Sequence, residues 1–131
     1  MKSIKYEYLG RVEYRNENNY IHREDGPAIE YHNGKIWMIN NLRHREDGPA
    51  VEWLDGAKEW WYKGKLHRED GPALISSSGN LTWYFHGKKH RLDGPAYMGS
   101  RNVNNYYLHG NYIPVFSQKE FERYMRLIIF K

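Results

Sequence analysis

Histidine, arginine, glutamate and aspartate stand side by side three times in this chain, and a fourth copy keeps all but the glutamate. HREDGPA occupies 22–28, 44–50 and 67–73, and HRLDGPA occupies 90–96. A histidine with an aspartate three positions on is the raw material of an acid–base pair or of a metal site. The spacing of the copies argues against both. The motif histidines His22, His44, His67 and His90 recur every 22 or 23 residues, which is the signature of a stacked array. If each period supplies two strands ~4.8 Å apart, equivalent histidines stand about 10 Å from one another. Zinc holds its ligands at about 2.0–2.1 Å, so one ion cannot gather them, and a single copy has too few ligands. Acid–base catalysis needs one pocket in which different groups take different roles. Four equal copies do not make such a pocket. Residues that break the pattern are the better candidates for chemistry: Leu92 in place of Glu, the run Ser76-Ser77-Ser78, and the off-motif His86 and His109. The chain carries neither a phosphate-binding glycine loop nor a nucleophile elbow. The reading is therefore of a protein that is not an enzyme, with no cofactor and no metal. Each motif histidine is expected to bond a turn carbonyl and lock a bend.

The elements that position these residues are legible as columns. Seven residues before the later histidines stand Trp37, Trp60 and Trp83; the next column holds Met38, Trp61 and Tyr84, and the next Ile39, Tyr62 and Phe85. Tyr106, Tyr107 and Leu108 continue all three. Three residues before each histidine comes Asn19, Asn41, Gly64 or Gly87, and Gly110 follows in the last copy. These residues accept a left-handed backbone in a tight turn. A second turn lies mid-period at Asn33-Gly34, Asp55-Gly56 and Gly79-Asn80. Successive units of an antiparallel meander must run the same way, so each needs an even number of reversals. Two are already assigned. HREDGPA is therefore predicted to lie inside one long kinked strand, from about residue 65 to about 76, with Pro72 and Gly71 forming a bulge. Alternation sends Trp37, Trp60 and Trp83 to one face and Met38, Trp61, Tyr84 and Tyr107 to the other.

The fold class that follows is mostly β: an elongated single-layer antiparallel sheet, a meander of about two strands per period, with a C-terminal capping helix. One domain spans 1–131, with N-terminal cap strands in 1–21, repeats in 22–112 and the cap in 113–131. Ser117 and Glu120 form a capping box with Phe116 placed as a hydrophobic staple, and Phe121, Tyr124, Met125 and Ile128 share one face of a helix at 118–129. That helix is expected to cover the last repeat.

Composition narrows the setting. There is no cysteine, so disulfides, thiolate zinc sites and cysteine nucleophiles are excluded. No apolar run approaches the ~20 residues of a membrane span, and the first twenty residues lack a signal-peptide core. A cytoplasmic protein is expected, in the host cytoplasm if the source is viral. Twelve Tyr, five Trp and four Phe make an unusually aromatic apolar inventory, and aromatics suit a pleated surface. The net charge of +4 is modest, and no block of about five or more like charges appears.

At this point a resemblance emerges. Tyr62-Lys63-Gly64-Lys65-Leu66-His67, followed by a glycine and an aromatic before Asp-Gly, resembles the MORN repeat in pattern and period across roughly residues 15–112. The HREDGPA form is similar to divergent copies in uncharacterised phage, bacterial and large-virus proteins, and to bacterial antitoxin-like proteins with MORN-type repeats. The chain departs from the family by setting Arg-Glu-Asp ahead of the glycine and by crowding aromatics where small glycines are usual. The resemblance implies a twisted single-layer sheet used for protein binding, with lipid binding also proposed in the family. It carries over no catalytic residue.

The functional expectation is a non-catalytic module that binds a partner macromolecule, a protein first of all, as a phage or viral accessory factor acting on a host protein. The candidate binding residues are Trp37, Trp60, Trp61, Trp83, Tyr84 and Tyr107, with Arg23, Arg45, Arg68 and Arg91. Trp, Tyr and Arg are typical of interface hot spots. The same residues suit nucleic-acid or nucleotide binding, by stacking on bases and reaching phosphates. The neighbouring Glu and Asp argue instead for an internally paired ladder of charge. A structural assembly role is the third reading. Homo-oligomers are expected to form through the C-terminal helix or a sheet edge.

Overall fold

The computed structural model describes residues 2–129; Met1, in the expected N-terminal segment, and Phe130 and Lys131, in the expected C-terminal cap, lie outside the described residues. The chain opens with β1 (Ile4–Tyr8) and β2 (Arg11–Arg15). The first unit follows as β3 (Ile29–Tyr31), β4 (Gly34–Ile36), β5 (Met38–Ile39) and β6 (Leu42–Arg43). The second is β7 (Val51–Trp53), β8 (Lys58–Glu59), β9 (Trp61–Tyr62) and β10 (Lys65–Leu66). The third is β11 (Leu74–Ile75), β12 (Leu81–Thr82), β13 (Tyr84–Phe85) and β14 (Lys88–Lys89). The array ends with β15 (Tyr97–Met98), β16 (Asn104–Leu108), β17 (Asn111–Ile113) and helix α1 (Gln118–Ile129).

Eleven of these strands form one open antiparallel sheet in the order β1-β2-β3-β4-β7-β8-β11-β12-β15-β16-β17. The rest form three short hairpins, β5-β6, β9-β10 and β13-β14. The hairpins are bonded in turn along the array: Gly64 donates its N–H to the Arg43 carbonyl, Gly87 to Leu66 and Gly110 to Lys89, at 2.8–2.9 Å. Their three turns, and the turn between β16 and β17, hold positive φ at both central residues: Asn40-Asn41, Lys63-Gly64, His86-Gly87 and His109-Gly110. That is the type I′ geometry whose twist matches the flanking strands.

The heptapeptide makes no reversal. Trp60 donates its N–H to the Ala73 carbonyl at 2.7 Å and accepts from the His67 N–H at 3.0 Å. Residues 68–72 therefore swell out as one large bulge opposite a single tryptophan, and the strand continues on either side. Trp37 is bracketed the same way by His44 and Ala50, and Trp83 by His90 and Ala96. Ala28, Ala50, Ala73 and Ala96, which close the four bulges, are wholly buried.

The mid-period turns differ from the expected ones in two places, at Gly34 and at Asn80, which pairs with Ser76 outside its turn. Gly34 is not in a turn but in β4, opposite Tyr31 and Trp53. A Cβ there would meet the Trp53 ring at 2.2 Å. The first of these turns is thus two residues, 32–33. Three residues serve at 54–56 and at 77–79, where Trp53 bonds Ala57 and Ser76 bonds Asn80. That one residue is the difference between a period of 22 and one of 23.

Two apolar clusters stabilise this thin layer. Ile29, Ile36 and Val51 gather Ile21, Tyr31, Met38, Trp53 and Trp61. At the other end Tyr106, Leu108, Ile113 and Phe121 bury one another, and α1 lies over the last strands. The helix has the predicted bounds. Ser117 Oγ accepts the Glu120 N–H at 3.1 Å, and Glu120 reaches back to the Phe116 N–H at 3.0 Å. The staple does not form, because Phe116 is 91% exposed. Among the described residues no helix is long and apolar enough to cross a membrane.

Candidate functional site

Each letter of HREDGPA has a physical task, and arginine is at the centre of it. The Arg68 guanidinium lies flat on the Trp60 ring, with its carbon 3.8 Å from the centroid. Its Nε donates to Asp70 at 3.0 Å, and its Nη1 donates to the Pro72 carbonyl at 3.0 Å. Gly71 covers the other side: a Cβ at that position would stand 2.9 Å from the guanidinium carbon. Arg45 on Trp37 and Arg91 on Trp83 repeat the arrangement at 3.8 and 3.9 Å. Arg23 also repeats it, on Tyr14 at 3.9 Å.

Histidine ties each bulge to the next hairpin. His22, His44, His67 and His90 accept, at Nδ1, the backbone N–H of Asn40, Lys63, His86 and His109 at 2.9–3.1 Å. The expected bond to a turn carbonyl is replaced by a bond from a turn N–H, because the type I′ turn aims its donor at the ring. With Nδ1 accepting, the proton sits on Nε2. In the first three copies Nε2 lies 3.4–3.7 Å from the following glutamate. The off-motif histidines join the same stack: His86 lies on His67 at 4.2 Å and His109 on His90 at 4.3 Å. Tyr62 and Phe85 fill the gaps, 4.7 Å from His44 and 4.8 Å from His67.

Burial holds His90 below the usual imidazole range, and the adjoining His109 adds to it. A folded-state value below the unfolded one means that the unfolded chain binds more protons between the two. The stability contributed by neutral His90 is therefore complete above the ordinary value and is lost as pH falls below it. Denaturation midpoints followed from about pH 7.5 to about pH 5 should drop less in His90→Asn than in the parent.

Successive bulges enclose three open clefts in a row. Between the first and second lies a space of about 680 Å³ with Trp37 and His44 on its wall. Between the second and third, about 900 Å³ is bounded by Trp60, Tyr62, His67 and His86. Between the third and fourth, about 1030 Å³ is bounded by Trp83, Phe85, His90, Leu92 and His109. The charge along this row is sorted. The caged arginines are only 22–23% exposed, whereas Asp25, Asp47, Asp70 and Asp93 are 84–87% exposed. Glu24, Glu46 and Glu69 stand out beside them. The rims are acidic although the chain as a whole carries +4.

The sequence candidates divide accordingly. Trp37, Trp60 and Trp83 line the clefts, and Arg23, Arg45, Arg68 and Arg91 lie folded into the walls. Trp61 packs with the Ile29 cluster and gives its Nε1–H to Glu59 at 2.7 Å. Tyr84 is half-buried in β13 opposite Lys89, its carbonyl taking the Arg68 N–H. Tyr107 meets Tyr112 edge-on at 5.6 Å and lies under the Lys89 ammonium. Tyr14 was not among the candidates. It stands eight residues before its histidine instead of seven, and the extra residue lies in a loop where Asn16 Oδ1 accepts the N–H groups of Asn18 and Tyr20. Among the described residues no three metal-ligating side chains gather. No family model, curated protein or solved structure matches this chain.

Proposed function

We propose that this is a non-catalytic, MORN-like repeat module that binds an extended segment of a partner protein along the row of clefts. The observation that supports it is the sorting of charge: arginines turned into the walls, aromatic rings and imidazoles between them, carboxylates on the rims. A phosphate backbone would meet those carboxylates first, and the arginine Nε and Nη1 are already committed, so the nucleic-acid reading loses its main contacts. A cationic segment fits. The clefts recur about every 10 Å; an extended chain in the polyproline II form advances about 3.1 Å per residue and returns to the same side every third residue, so Lys or Arg at every third position would meet successive rims. The last cleft, where Leu92 replaces glutamate, takes an apolar side chain. On the resemblance to divergent viral and phage repeats, the partner is a host protein.

Titration of tryptophan fluorescence with an extended peptide of Lys-x-x-Lys pattern, its Glu counterpart and a single-stranded oligonucleotide tests this. The lysine peptide should quench and the other two should not. Glu46→Lys with Glu69→Lys should weaken that binding at least about tenfold while leaving the arginine cages intact. Preference for the oligonucleotide, or binding indifferent to the reversal, overturns the proposal.

A further inference from the structure

β1 ends the sheet. All five of its residues are exposed, and among the described residues nothing pairs with its outer edge. The direction of its backbone groups follows from its neighbour. Tyr14 donates its N–H to the Ala28 carbonyl at 2.8 Å and accepts from the His22 N–H at 2.9 Å, so its polar groups turn away from β1. Lys5 stands opposite Tyr14, and Glu7 opposite Val12. At such a non-bonded pair the facing residue also turns its N–H and C=O away. Lys5 and Glu7 therefore present their backbone groups to the open edge.

A further antiparallel strand bonds that edge only where outward-facing residues meet outward-facing residues. For a second copy of β1, three registers satisfy this: Lys5 on Lys5, Glu7 on Glu7, or Lys5 on Glu7. The first two set like charges directly opposite, which is unfavourable; the third sets opposite charges together twice. It is centred on Tyr6. Within one chain Lys5 Nζ already meets Glu7 Oε1 at 3.0 Å. Two copies would thus close a square of four charges alternating in sign. On the other face Ile4 would meet Tyr8 of the second copy, and Tyr6 would meet its own symmetry mate; all three are exposed in the single chain.

We propose that two copies of this chain pair through β1 in a symmetric antiparallel dimer centred on Tyr6, joining two eleven-stranded sheets edge to edge. Lone edge lysines keep strands apart, but here the two-fold axis sets each against a glutamate. The contact uses the same patch on both copies, so it closes at two.

Sedimentation equilibrium from about 1 to about 100 μM at low salt, a range that spans typical weak self-association, tests the proposal by charge exchange. The parent should pass from monomer to dimer. Lys5→Glu and Glu7→Lys should each remain monomeric throughout, since each places four like charges together. Mixed in equal amounts, the two variants should recover the dimer, since every facing pair is again opposite in sign. Both side chains are exposed, and circular dichroism matching the parent checks that the fold is kept. A parent that stays monomeric, single variants that dimerise as the parent does, or a mixture that stays monomeric would each overturn it.

Discussion

Phe121→Ala should cost about 3–5 kcal/mol of unfolding free energy, the usual range for truncating a wholly buried phenylalanine. Phe121 is the largest side chain with no exposure and lies 4.7 Å from the Tyr106 ring. Leu108 and Ile113 complete its pocket, with Val115, Tyr124 and Met125 at the margin. The sheet is one layer thick, so nothing behind this cluster can collapse into the cavity. A domain of this size has on the order of 5–15 kcal/mol in total, so urea denaturation should show the midpoint falling by about a fifth or more. Phe116→Ala should change it by no more than about 0.5 kcal/mol, because that ring already lies in solvent. Equal losses from the two variants would mean that α1 does not pack as described.

Arg68→Ala should cost about 2–3 kcal/mol. The estimate combines a guanidinium on an indole face with two charge-assisted hydrogen bonds, discounted because the group keeps some contact with water. Arg68→Lys should restore little, since an ammonium cannot make the forked contact with Asp70 and the Pro72 carbonyl while lying flat on Trp60. Gly71 gives the sharper measurement. Its backbone does not require glycine, so Gly71→Ala destabilises only by pushing on the guanidinium, which the indole holds from behind. The alanine should therefore cost about 1–3 kcal/mol in the parent and much less beside Arg68→Ala. Additive losses in urea denaturation would show that glycine and arginine are not parts of one cage.

Much of this was legible in the letters alone. The open antiparallel sheet followed from the period, the turn residues and the count of reversals, and the helix from Ser117, Glu120 and the spacing of Phe121, Tyr124 and Met125. The bulge at residues 68–72 followed from Pro72 and Gly71. What could not be read was direction. Whether Arg68 reaches solvent or folds back on Trp60 depends on the kink in a partner strand, not on the arginine's neighbours in sequence. The same holds for the histidines, whose bonding partner is an N–H made available by positive φ eighteen or nineteen residues later. Phe116 was misjudged because its place before the helix suggested a contact that the chain's approach to α1 does not make. Tyr14 was missed because one additional loop residue shifts its spacing.

The arginine cages are each closed within a single loop and the strand facing it. The ring, the aspartate and the proline carbonyl that hold each guanidinium all come from there. Errors of DNA copying that add or drop a whole unit would therefore leave every surviving cage complete and alter only the number of places along the row. Such a chain can be lengthened or shortened by inheritance like a ruler cut at its own marks, and one letter can differ, as Leu92 does, while the cage beside it stays whole.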